Sequence, residues 1–130
     1  MRKPKITVTV MKEDTGYSAT AEAGNVFIGT QGETWEELRK AVLDAVKLSF
    51  EDKGFVYTID EVQFTYDLES FFTFYKVINA KALSERIGMN QSLLAQYIRG
   101  IKKPSVTQTR RILKGVQQIG RELAETRFLL

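Results

Sequence analysis

The chain of 130 residues contains no cysteine and no histidine. Without cysteine, disulfide bonds, thiolate metal sites and thiol nucleophiles are excluded. Without histidine, the chain lacks the most common general base and the most common metal ligand. No apolar run approaches the roughly 20 residues that a membrane-spanning helix needs, and the N-terminal residues lack the continuous apolar core of a signal peptide. We therefore expect a cytoplasmic protein with no membrane association, no metal and no cofactor.

Charge is divided unevenly along the chain. Residues 1–70 carry 8 Lys and Arg against 13 Asp and Glu, a net charge of −5. Residues 71–130 carry 11 Lys and Arg against 3 Asp and Glu, a net charge of +8. An acidic half followed by a basic half predicts two functions, the second of which involves a polyanion. Chance clustering of charges on solvated faces is the alternative interpretation.

The first half has the pattern of a small sheet with one helix. Alternation of apolar and polar residues, or a short apolar run between turns, predicts strands at residues 5–11, 17–23, 25–32 and 61–67. Thr34 and Glu37 have capping-box spacing, and Gly54 ends the helix that follows. The apolar stripe predicted for this helix consists of Trp35, Leu38, Val42, Ala45 and Ser49. The predicted order is β-β-β-α-β, which makes residues 1–66 an α+β domain.

The carboxylates of this domain show no spacing that predicts a metal site. Those on predicted turns or on a solvent face are Asp14, Glu22, Asp44, Asp52 and Asp60. A two-metal nuclease needs carboxylates that converge on one point, whereas most charged side chains are solvated. We interpret these residues as exposed surface and the domain as a platform for a partner.

An aromatic segment opens the second half. Asp67 can cap a helix that carries Phe71, Phe72, Phe74 and Tyr75. So dense an aromatic set predicts either the core of a second domain, residues 67–130, or the contact that joins the two domains.

The next segment has the pattern of two short helices around a glycine turn. Gly88 stands where the chain must reverse, a position that favours positive φ. Asn90 is a suitable N-cap for the second helix, and Gly100 ends it. This spacing predicts a helix-turn-helix in an all-α domain.

The second of these helices has a polar face suited to a DNA groove. If Leu93, Leu94 and Tyr97 face inward, the outward side chains include Gln91, Ser92, Ala95 and Gln96. Ser and Gln hydrogen-bond base edges and Ala contacts a thymine methyl group, and the first half of a recognition helix is the part that reaches the bases. We therefore predict base contacts from these four residues. RNA contact or a protein interface is the alternative.

Contacts to the DNA backbone are predicted for polar residues around this helix. They are Lys81, Asn90, Arg99, Lys102 and Lys103. No carboxylate occurs between Glu85 and Glu122, whereas a merely solvated helix would normally mix both charge signs.

A last helix is predicted from Ser105 to about Phe128. Ser105 and Gln108 have capping-box spacing, and an apolar stripe is formed by Ile112, Val116, Ile119 and Leu123. Gly115 and Gly120 each weaken this helix by about 1 kcal/mol relative to Ala. The stripe either covers the helix-turn-helix core or pairs with a second copy, and the two are compatible.

Two motifs resemble known families. The segment from Lys81 to Ser105, with its run IGMNQSLLAQYIRG, resembles the lambda-repressor-like (Xre) helix-turn-helix. It departs mildly at Ser84, where Ala is most common, and at Tyr97, where an aliphatic residue is usual. Residues 5–52 resemble the HicB antitoxin domain in their hairpin, third strand and GETWEEL helix start. The join between the halves is similar to HicB-like proteins that carry a C-terminal Xre domain.

The resemblance implies an antitoxin of a type II toxin–antitoxin pair. Its first domain would have a degenerate ribonuclease-H-like fold and cover the RNA-cleaving site of a small basic HicA-like toxin. Opposite charges speed and orient such an encounter. The second domain would bind operator DNA and repress the operon as a homodimer or higher oligomer, without catalysis. The alternatives are a stand-alone Xre-type transcriptional regulator, whose first domain dimerises or senses a ligand, and a nuclease on the ribonuclease-H-like platform.

Overall fold

Alternating apolar residues of the first half build a four-stranded sheet. The structure, a computed structural model, describes residues 2–130 and places β1 at Ile6–Lys12, β2 at Tyr17–Ala23, β3 at Val26–Gly32 and β4 at Val62–Tyr66. The strand order is β3-β2-β1-β4. Strand β2 is antiparallel to both of its neighbours, and β4 is parallel to β1. The predicted α+β class and the predicted strands are confirmed.

The helix α1, Trp35–Phe50, connects β3 to β4 and packs on one face of the sheet. The Thr34 hydroxyl accepts a hydrogen bond from the Glu37 amide at 3.2 Å, as the capping box predicts. The Glu37 carboxylate, however, accepts from the amide of Glu33 at 3.0 Å, one residue before the cap. A short 3₁₀ turn follows, and Gly54, at φ 75°, ends it as expected. The buried side chains of α1 are Leu38, Val42, Val46 and Phe50.

A second helix, α2 at Leu68–Phe74, folds back on the sheet. Asp67 caps it as predicted, because its carboxylate accepts a hydrogen bond from the Ser70 amide at 2.7 Å. The buried Ser70 hydroxyl in turn accepts from the Lys12 amide at 2.9 Å. These two contacts fix α2 to the end of β1.

The aromatic residues of α2 pack in the sheet unit. The ring of Phe74 lies 4.5 Å from that of Tyr17, 5.0 Å from Trp35 and 5.6 Å from Tyr66, between ring centroids. The first predicted role, the core of a second domain, is therefore wrong for Phe74, which packs against the first core, whereas the second, a contact that joins the two domains, stays a prediction. The ring of Phe71 lies 5.7 Å from that of Tyr66 on β4, because α2 follows β4 after a single residue.

The chain divides into two compact units, the first ending at Phe74 and the second comprising Tyr75–Leu130. The division lies after α2, whereas the sequence analysis placed the domain boundary before it, at residue 66. Residues 71–74 carry no charge, so the first unit has the net charge of −5 and the second that of +8.

The second unit consists of three helices in the described part of the chain. They are α3 at Ala80–Ile87, α4 at Gln91–Ile98 and α5 at Val106–Glu125. Their buried side chains are Leu83, Ser84, Met89, Leu94, Tyr97 and Ile112. The last helix ends at Glu125, slightly before the predicted end near Phe128.

The apolar stripe of α5 covers α3 with its first half. Ile112 is buried and Val116 is half-buried, whereas Leu123 is 68% exposed. A glycine permits the close approach of the two helices: a Cβ atom on Gly115 would lie 2.4 Å from the Cγ2 atom of Ile87. Pairing of the exposed part of the stripe with a second copy stays a prediction.

Gly115 and Gly120 offer a matched test of this contact. Ala has the higher helix propensity, and a Cβ atom on Gly120 meets nothing within 4 Å, so Gly120→Ala should stabilise the second unit by about 1 kcal/mol. Gly115→Ala should destabilise it by about 1–3 kcal/mol, because the methyl group overlaps Ile87. Urea unfolding followed by circular dichroism measures both changes. Equal stabilisation by the two substitutions would contradict the close approach.

Candidate nucleic-acid interface

The turn between α3 and α4 is fixed by backbone and cap hydrogen bonds. Gly88 adopts φ 66°, and the amide of Met89 donates to the carbonyl oxygen of Ser84 at 2.9 Å. This is the way a glycine in the left-handed region ends a helix. The Asn90 side chain then accepts a hydrogen bond from the Leu93 amide at 3.1 Å and caps α4. The structural roles predicted for Gly88 and Asn90 are confirmed.

The predicted base-contacting residues lie on one face of α4. Successive helical residues are rotated by about 100°, which places Ser92, Ala95 and Gln96 on the side of α4 away from the buried Leu94 and Tyr97, with Gln91 at the margin of that side. Gln91, Ser92 and Gln96 are exposed, and Ala95 is half-buried. Within residues 2–130 the side chains of the three exposed residues make no hydrogen bond, so their polar groups are available to a ligand. Their contact with DNA bases stays a prediction.

The residues predicted to contact the DNA backbone are all exposed. Lys81 lies in the first turn of α3, and Asn90 and Arg99 lie at the two ends of α4. The amides of Ile101 and Lys102 both donate to the carbonyl oxygen of Gln96, at 3.0 and 3.3 Å. These bonds hold the loop that carries Lys102 and Lys103 against the end of α4. Positive charge therefore lies beside the polar face.

One arginine of this unit is already neutralised. The guanidinium group of Arg86 lies 2.6 Å from the carboxylate of Glu122 and joins α3 to α5. Hydrogen bonds from Arg86 and from Gln118 lower the pKa of Glu122. Between these ion-paired partners the sequence has no carboxylate, so the cations near α4 have no acidic neighbour along this stretch.

The structure assigns Arg111 a role that the sequence analysis missed. Its Nε and Nη2 atoms donate to the carbonyl oxygen of Ile87 at 3.1 and 2.8 Å, and Nη2 also donates to that of Gly88 at 2.7 Å. The last carbonyl groups of a helix have no partner within it and attract cations. One side chain of α5 therefore clamps the turn that positions α4.

The clamp also explains a difference from the predicted capping box of α5. The Ser105 hydroxyl accepts from the Gln108 amide at 3.1 Å, as predicted. The Gln108 side chain instead accepts from Nη1 of Arg111 at 3.4 Å. Because Arg111 and Ile87 are 24 residues apart, no local spacing in the sequence indicates their contact.

The first unit shows no comparable cluster of functional groups. The five carboxylates interpreted as surface are all exposed. Among residues 2–130 no group of three or more Asp or Glu residues is arranged to hold a metal ion. No helix in this range has the length and apolar character required to cross a membrane.

Fold and charge define a two-unit α+β protein with an acidic sheet unit and a basic helical unit. Over 51 residues the chain is 41% identical to a UPF0150 protein of Thermotoga maritima, in an alignment that covers 39% of this chain and 70% of that protein. The chain belongs to the UPF0150 family, which is HicB-like. No family model and no solved structure matches the chain.

Arg111 can be tested against its neighbour Arg110, which is also exposed and whose side chain makes no hydrogen bond within the described residues. Arg111→Ala should lower the free energy of unfolding of the second unit by about 1–2 kcal/mol, because it removes charge-assisted hydrogen bonds to the turn. Arg110→Ala should change it by less than about 0.5 kcal/mol. Denaturant titration gives both values. Equal losses would show that Arg111 does not clamp the turn.

Proposed function

We propose that the chain is an antitoxin that also represses its own operon. Its first unit binds a small, basic, HicA-like toxin that cleaves mRNA, and its second unit binds operator DNA as a helix-turn-helix. The observation that carries the proposal is the exposed polar face of α4, which is flanked by cations on a unit of net charge +8 joined to one of −5.

The arrangement of α3 and α4 supports DNA binding. A helix-turn-helix places its second helix in the major groove, where the N-terminal side chains contact base edges. In this chain those side chains are Gln91, Ser92 and Gln96, and all three are exposed. Lys102 and Lys103 lie where they can contact phosphates without reading sequence.

The charge of the first unit supports a basic partner. A surface of net charge −5 attracts a cationic protein and orients it during the encounter. The HicB-like relationship favours a toxin as that partner. Because carboxylates of this unit do not converge within residues 2–130, we propose binding and no catalysis.

A stand-alone transcriptional regulator is the second candidate. It shares the DNA-binding unit, and its first unit dimerises or senses a ligand. The edge strand β3, which has no charged residue and no neighbouring strand on its outer side in the described structure, favours dimerisation through the first unit.

Substitutions on α4 test the DNA-reading assignment. Gln91→Ala or Gln96→Ala should weaken operator binding by about 1–3 kcal/mol and relax the preference at one base position, because each removes a base-edge hydrogen bond. Lys102→Ala should weaken binding to all sequences and reduce the slope of log affinity against log salt by about one. Fluorescence anisotropy with operator and scrambled DNA measures both effects. Unchanged base preference in both glutamine variants would exclude α4 as the reader.

The antitoxin role is tested with the product of the adjacent reading frame. Residues 1–74, which include α2, should bind a small basic protein and suppress its RNA cleavage, because the acidic unit would cover its active site. Residues 75–130 serve as the matched control and should leave cleavage unchanged. If full-length chain binds promoter DNA while neither fragment affects the neighbouring product, the stand-alone regulator replaces the antitoxin.

A further inference from the structure

The strand β3 forms an edge of the sheet, and it pairs with β2 along its whole length. The pairs run without interruption from Tyr17 with Gly32 to Ala23 with Val26. Gly24, at φ 61°, is the first residue of the two-residue loop between the strands. The opposite side of β3 has no neighbouring strand in the described structure.

The hairpin determines which backbone groups point away from β2. In a two-residue hairpin the residues that flank the loop form a hydrogen-bonded pair, and hydrogen-bonded pairs then alternate along the ladder. The backbone N–H and C=O groups of Phe27, Gly29 and Gln31 therefore point to the open edge. Within residues 2–130 these groups have no hydrogen-bond partner.

Nothing in the sequence of β3 blocks pairing at this edge. Natural edge strands are protected by lysine, proline, bulges or short length. The strand VFIGTQG has seven residues, no charge, no proline and an unbroken register. The other edge strand, β4, has five residues.

The side chains of β3 also favour contact at the same edge. Phe27 is 67% exposed on the sheet face away from α1, and its ring lies over Gly29, where a Cβ atom would come within 3.2 Å of it. An aromatic ring on a neighbouring strand that covers an edge glycine stabilises strand pairing. A second ring could lie over the same glycine from across the edge.

We propose that β3 pairs antiparallel with β3 of a second copy of this chain, with the two-fold axis at Gly29. In this register Gly29 of one copy lies opposite Gly29 of the other, and Phe27 lies opposite Gln31. Each outward-pointing residue exchanges both backbone hydrogen bonds with the residue opposite it. The two Phe27 rings then cover the glycine pair from either end, and the two sheets become continuous.

The absence of charged residues on β3 favours a second copy of the chain as the partner at this edge. The first unit carries −5, so two copies repel each other unless their contact avoids charged residues. β3 is a strand with no charge, and a two-fold contact must be complementary to itself. A basic partner strand would instead be recognised by acidic side chains, which β3 lacks. The pairing does not depend on DNA binding, although it would supply the second DNA-binding unit that a two-fold operator requires.

Paired substitutions in the full-length chain test the register as well as the contact. Phe27→Lys with Gln31→Lys places lysine opposite lysine at both symmetric positions, and the dissociation constant of the dimer should rise about tenfold or more. Phe27→Lys with Gln31→Glu places lysine opposite glutamate, and the dissociation constant should lie at least about fivefold below that of the double-lysine variant. Thr7→Lys, on the same sheet face but on β1, two strands away from β3, is the control and should leave the dissociation constant unchanged. Sedimentation equilibrium measures all four proteins.

Far-UV circular dichroism establishes that each variant is folded. Because both paired variants lose the Phe27 ring, loss of the ring does not account for a difference between their dissociation constants. A monomeric unsubstituted chain, or one dissociation constant shared by all four proteins, overturns the proposal. Equal weakening in the two paired variants overturns the antiparallel register. A dimer that responds as expected but binds no operator DNA would remove the proposed repressor function and leave the strand pairing in place.

Discussion

The parallel pairing of β1 with β4 is the constraint on which the first unit depends. It joins residues 56 positions apart in the chain, and parallel neighbours require a crossover connection. That connection is α1, which covers one sheet face with Leu38, Val42 and Val46. Because β4 lies beside β1, the chain leaves the sheet next to the end of β1, where α2 can bond to it. The same pairing puts β1 in the interior of the sheet and leaves β3 at an edge.

In the second unit, α5 serves as a brace for two helices that are too short to be stable alone. Helices of eight residues, such as α3 and α4, are marginal in water without tertiary packing. The brace acts in three ways: Gly115 lets the backbones approach, Arg111 binds the turn carbonyls, and Arg86 is ion-paired with Glu122. The position and the angle of the polar face of α4 therefore depend on these three contacts, whose residues need not touch a ligand.

Local patterns predicted the elements well, whereas contacts between distant residues were not predictable. Alternation identified the strands, and side-chain caps identified the starts of α2, α4 and α5. The stripe of α1 was predicted one position off, with Ala45 and Ser49 in place of the buried Val46 and Phe50, because period alone does not fix which side meets the sheet. The packing of Phe74 against the first core was not predicted for a related reason: composition indicates that an aromatic side chain will be buried but not which residues it will contact. Arg111 had no local signal. The exposed face of α4 was predictable, because its prediction needs only the position of the helix and the side that is buried, and the sequence indicates both.

The long separation between β1 and β4 also bears on how the protein is made. Contacts distant in sequence slow folding, because a long loop must close before its ends gain any stabilising contact. The β1–β2–β3 hairpins can form early, but during synthesis the sheet stays incomplete until β4 and α2 have left the ribosome. The second unit is built mostly from neighbouring helices and should form soon after its own residues emerge. Until β4 joins it, the nascent hairpin sheet has the backbone of β1 unpaired as well as that of β3, and the protein is then most exposed to misassociation.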